Sequence, residues 1–117
     1  MIVHGYDYPV PDGRGFLGGF GPLPGPWLKP GFHAKQFADP ETNVALMHDI
    51  IDRFNAMVAA LASDPLLTQV HYLDLRGTLS TTLTEDAYHQ WWGNELHPSE
   101  AGFSAVANKF ALALNRL

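Results

Sequence analysis

Two short runs of β-favouring residues, Ile2–Tyr8 and Gln69–Leu75, are separated by about sixty residues that include one long amphipathic stretch. Strands joined over that distance do not form a hairpin. They pair in parallel, with a helix crossing one face, and a parallel sheet needs cover on both of its faces. Two parallel strands alone are a poor sheet, so the run Ile2–Tyr8 leaves an edge of unpaired backbone groups that invites pairing with another chain. The expectation is a homo-oligomer, or a complex, that covers this edge.

The helix between the strands is well signalled. Asp39-Pro40-Glu41 is a helix start, with Asp as N-cap, Pro in the first turn and an acid facing the dipole. Apolar residues then recur at Val44, Met47, Ile51, Phe54, Val58 and Leu61, which predicts one buried stripe ended by Ser63-Asp64-Pro65. A final helix is predicted from Ser99 to Leu117, with Phe103, Val106, Phe110, Leu114 and Leu117 on one face. A short helix is expected at Phe32–Phe37 and one helical turn at Thr84–His89. From Pro9 to Pro30 glycine and proline punctuate a long loop, whose phenylalanines, leucines and Trp27 predict packing onto the body. A loop of this length often shapes a functional site.

The 117 residues make one domain, 1–117. Seven basic and twelve acidic residues give a net charge of −5, and the basic residues are scattered singly, so no nucleic-acid surface is expected. No run approaches the ~20 apolar residues of a membrane span. The absence of cysteine removes disulfides and thiolate metal sites. The N-terminus has no signal-peptide pattern and opens within a strand, which suggests that a further segment precedes it.

The segment most suited to chemistry is Trp91-Trp92-Gly93-Asn94-Glu95-Leu96-His97-Pro98-Ser99-Glu100-Ala101-Gly102-Phe103. Here a histidine sits at the corner before the last helix, its backbone restricted by the following proline. This segment resembles the last signature of the SGNH (GDSL-type) hydrolases, Asp-x-x-His-Pro followed by Gly and an aromatic. Ile2–Pro9 is similar to the fourth strand of that family and the loop leaving it, and Val70–Leu75 to the fifth. The resemblance covers most of the chain, and its specific part is the His-Pro segment. It implies an α/β fold, the second half of a flavodoxin-like three-layer sandwich with two parallel strands. It also implies an ester or acetyl substrate, no cofactor, His97 as general base and Asn94 in the orienting position.

Two departures from the family pattern stand out. Asn94 replaces the aspartate three residues before the histidine; an amide can hydrogen-bond an imidazole but does not neutralise an imidazolium. In the Ser-His-Asp template the same change lowers turnover about 10⁴-fold. None of the four serines (Ser63, Ser80, Ser99 and Ser104) lies in a nucleophile turn, and the oxyanion-hole segments are missing. The chain therefore reads as a truncated ester hydrolase, inactive by itself, with a base and no nucleophile. The alternative is a non-catalytic interaction or structural module of that fold, self-associating through its sheet edge.

Other residues carry plainer expectations. Trp91 and Trp92 either line a pocket or close a core with one ring half-exposed. Glu95 is expected to point away from His97. His4 and Asp7 fall on opposite strand faces and make no metal pair. His33, His48, His71 and His89 lack ligand spacing. The glycines Gly13–Gly25 lack the Lys-Ser/Thr of a phosphate loop.

Overall fold

A computed structural model of the chain describes residues 1–16 and 24–117. Strand β1 (Ile2–His4) pairs in parallel with β2 (His71–Leu73), in the register Ile2 with His71, Val3 with Tyr72 and His4 with Leu73. The parallel α/β unit is therefore present, but both strands are shorter than expected. After His4 the backbone turns to side chains instead of a strand neighbour. The Tyr6 carbonyl accepts Asn55 Nδ2 at 2.9 Å, and the Tyr8 amide donates to Asp7 Oδ1 at 2.8 Å. The buried Asp7 carboxylate also accepts the amides of Gly77 and Leu79, which ties the segment after β1 to the loop after β2.

The short helix α1 runs over Lys29–Ala34, earlier than the expected Phe32–Phe37, with Pro30 in its first turn. The crossover helix α2 spans Pro40–Ala62; Asp39 caps it by accepting the Thr42 amide at 2.8 Å. Its buried residues are Asn43, Met47, Ile51 and Asn55. This corrects the predicted stripe. Met47 and Ile51 are buried and Val44 and Val58 half-buried, but Phe54 is 41% and Leu61 54% exposed. The apolar sector of α2 is wider than its buried face, so Phe54 and Leu61 stay exposed on one flank.

Asn55 fixes how closely α2 approaches the sheet. Its Nδ2 bonds the carbonyls of Tyr6 and Ile51, and its Oδ1 accepts the Tyr72 hydroxyl. A side chain at Gly5 would collide with that amide, so glycine is required for the close approach.

After β2 come a 3-10 segment, Thr84–Gln90, and helix α3, Glu100–Leu114, capped by Ser99. The His4 ring meets Phe110 of α3 edge-on at 5.2 Å, while Tyr72 bonds α2. Neighbouring positions along paired strands point to opposite faces, so α2 and α3 lie on opposite faces of the strand pair. On α3, Val106 and Phe110 are half-buried, whereas Phe103 and Leu114 are exposed, another departure from the expected buried face; the helix ends at Leu114, before the exposed Leu117. The main apolar cluster holds Val10, Leu79, Tyr88 and Trp92, with Val44 and Val106 packed against it.

In the Pro9–Pro30 loop, Trp27 and Leu28 are half-buried and Phe16 is exposed; Leu17, Phe20 and Leu23 lie outside the described residues. The chain's accessible surface is 7417 Å². A folded monomer of 12.9 kDa shows about 6,300 Å². No helix among the described residues is long and apolar enough to cross a membrane.

Candidate functional site

Residues 91–99 form a loop closed at its neck. Ser99 N donates to Trp91 O at 2.8 Å, Gly93 N donates to His97 O at 2.9 Å, and Trp92 and Pro98 make an isolated antiparallel bridge. Gly102 lets the Trp91 carbonyl lie against the first turn of α3, where any Cβ would collide with it. Trp92 is buried in the core and Trp91 half-buried, so the pair closes a core rather than lining a pocket. The Tyr6 hydroxyl donates to the Leu96 carbonyl and joins the loop to the segment after β1.

At the tip of this loop the buried Asn94 presents Oδ1 to three donors or potential donors. Leu96 N and His97 N each lie 2.9 Å away, and His97 Nδ1 lies at 3.0 Å. The two backbone donors require this atom to be the oxygen, which fixes the amide's orientation. An oxygen has no proton to give, so Nδ1 carries a hydrogen, and in the neutral ring Nε2 is the nitrogen with the lone pair. This is the tautomer a general base needs. The His97 residue is exposed, and the edge of its ring contacts Trp27, 5.8 Å between centroids. The structure thus brings the two sequence-predicted residues together.

Glu95 points the other way, as expected, and is fully buried. Its Oε2 accepts the amides of Trp27 at 2.6 Å and Leu28 at 2.7 Å; its Oε1 accepts those of Gly13 at 2.8 Å and Lys29 at 2.9 Å. One carboxylate therefore joins the His97 loop to both described parts of the Gly/Pro-rich segment and holds Trp27 where its ring meets His97. Sequence reasoning missed this role. The available signal was an acid close to Trp91, Trp92 and Leu96, which needs several N–H donors if it is buried.

Beyond Trp27 lies an apolar groove of about 460 Å³, walled by Leu28, Phe32 and Phe37 on one side and Leu46, Met47 and Ile50 of α2 on the other. A second, more polar cleft of about 470 Å³ lies between Lys29, Asn43 and Tyr88.

The serines do not complete the site. Ser63 Oγ donates to Ala59 O, Ser80 Oγ pairs with Thr82 Oγ1, and Ser99 Oγ donates to Gln90 O while capping α3. Among the described residues no hydroxyl is hydrogen-bonded to the His97 ring, and no cluster of His, Asp or Glu is arranged to hold a metal ion. His4 bonds its neighbour's carbonyl through Nδ1, apart from the Asp7 cluster. No family model, curated protein or solved structure matches the chain.

Proposed function

We propose that this chain is the general-base half of an SGNH-type ester hydrolase, the second half of a flavodoxin-like three-layer fold. The observation that carries the reading is the Asn94–His97 contact, which engages Nδ1 and leaves Nε2 of an exposed residue without a hydrogen-bond partner among the described residues. In the reaction, a hydroxyl supplied by another polypeptide segment attacks the ester carbonyl while Nε2 takes its proton. The same nitrogen returns that proton to the leaving alcohol as the acyl–oxygen bond breaks. Asn94 orients the ring without neutralising the imidazolium, so it supplies only part of what an aspartate gives. The groove beyond Trp27 suits the apolar part of an ester.

A second reading, a non-catalytic module of the same fold, is favoured by the engagement of three serine hydroxyls elsewhere. The reading frame upstream of Met1 separates the two. An in-frame Gly-Asp-Ser segment is expected, and the longer polypeptide should hydrolyse a short-chain nitrophenyl ester in a manner abolished by His97→Ala. A closed frame, together with equal background rates for the 117-residue chain and its His97→Ala variant, sinks the hydrolase reading.

A further inference from the structure

The polar cleft beside the start of α2 holds a buried acceptor that the chain itself does not use. Asn43 lines this cleft and is 5% exposed. Its Nδ2 donates to the Phe37 carbonyl at 3.3 Å, which fixes the orientation of the amide. Oδ1 is then buried with no partner among the described residues. A buried oxygen without a donor is a standing cost, removed by a ligand that brings an N–H or O–H.

Acceptors dominate the rest of the lining. Asp12, Glu41 and Asp86 contribute carboxylates, which only accept. Arg14 Nε neutralises Asp12, and Lys29 Nζ donates to the Asp12 carbonyl at 2.9 Å. Glu41 and Asp86 are exposed and make no ion pair among the described residues. With the Lys29 charge set against one of them, the cleft still keeps a surplus negative charge. An anion finds no free amides at the start of α2, because Asp39 takes those of Thr42 and Asn43. At about 470 Å³ the cleft has the size of a small-molecule site and far exceeds the ~30 Å³ share of one water.

We infer that this cleft binds a small organic cation, a primary ammonium group on a short aliphatic stem. The ammonium donates to Asn43 Oδ1 and lies beside the carboxylates of Glu41 and Asp86, while the stem runs along Val10, Pro40 and Leu83. A compact positive centre with three donors supplies both the missing hydrogen and the missing charge. A neutral polyol leaves the charge unanswered, and the carboxylates are not grouped as metal ligands. His97 is not in this lining, so the inference is independent of the hydrolase reading.

The test is an NMR titration of the 117-residue chain with n-butylammonium, read on the Asn43 side-chain amide and the Val10 and Leu83 methyls. Saturable shifts at these positions are expected, weakening as salt is added. Tetramethylammonium has the charge without N–H donors, and 1-butanol has the stem without the charge; both should bind at least about tenfold more weakly, the scale of a hydrogen bond to a charged group. Asn43→Leu should lose affinity by a similar factor. Asp86→Asn combined with Glu41→Gln should do the same, and asparagine suits the left-handed backbone at position 86, where φ is 52°. Glu100→Gln, outside the cleft, should leave binding unchanged. Cooperative melts establish that each variant is folded. Absence of shifts with n-butylammonium overturns the inference. So does equal binding of tetramethylammonium or 1-butanol, displacement of the amine by calcium chloride at equal ionic strength, or affinity that survives in both folded cleft variants.

Discussion

The carboxylate of Glu95 and the indole of Trp27 are joined through the backbone: Oε2 accepts the Trp27 amide at 2.6 Å, and the ring above that amide meets His97. Replacing Glu95 with alanine leaves four part-buried N–H groups without their acceptor. A loss of at least about 3 kcal/mol is expected. Glu95→Gln retains one acceptor oxygen but turns an NH₂ towards donors, and should fall between the two. Urea melts give the ordering. A native-like midpoint for Glu95→Ala would show that the Trp27 segment is held by other contacts.

Asn94 tests the His97 corner in the same way. Asn94→Ala removes the acceptor for Leu96 N, His97 N and the imidazole, and should cost about 1–3 kcal/mol. Asn94→Asp preserves an oxygen at that place and should lie within about 1 kcal/mol of the native chain. Equal losses for both variants in chemical denaturation would mean that the amide NH₂, not the oxygen, holds the corner.

Acid should reveal the Asp74–Arg76 pair. The Arg76 guanidinium bonds the Asp74 carboxyl and draws its pKa down to about 2, from an ordinary value of 3.8. The folded chain favours the charged form, so this stabilisation is complete above 3.8 and is lost as pH falls towards 2. Thermal melts between those limits should fall less steeply for Asp74→Asn than for the native chain. The difference will be modest, because the Asp74 side chain is 45% exposed and water screens the pair. Parallel acid limbs would remove this pair from the account of acid sensitivity.

A methyl group at position 5 is a sharper probe of the fold. Gly5→Ala drives a Cβ into the Asn55 amide, whose bonds to Tyr6, Ile51 and Tyr72 leave it no room to turn. Overpacking of this kind costs about 1–3 kcal/mol. Gly102→Ala should act similarly through the Trp91 carbonyl and should also alter the environment of His97, read from its ring resonances. An unshifted denaturation midpoint for Gly5→Ala would show that α2 can retreat freely from the sheet.

What could be read from the chain alone was local. Asp39-Pro40-Glu41 carries its own capping chemistry, and the parallel pairing follows from the separation of the β runs. Asn94 and His97 are three residues apart, so their contact was within reach of a motif. The strand ends depend on Asp7 and Asn55 reaching amides and carbonyls far along the chain, which no short pattern encodes. The same holds for Glu95, whose partners are backbone amides that no side-chain pattern marks. The extent of burial on α2 was misjudged because periodicity shows which side is apolar, not how much of that side finds a neighbour.

The amide hydrogens held by Glu95 and Asp7 have one more consequence. Gly13, Trp27, Leu28 and Lys29 direct theirs to the first carboxylate, and Tyr8, Gly77 and Leu79 to the second. In other α/β proteins, loops of this kind gather such hydrogens into nests for phosphate groups. Here the chain fills them with its own anions, so inorganic phosphate or a nucleotide would find these positions already taken.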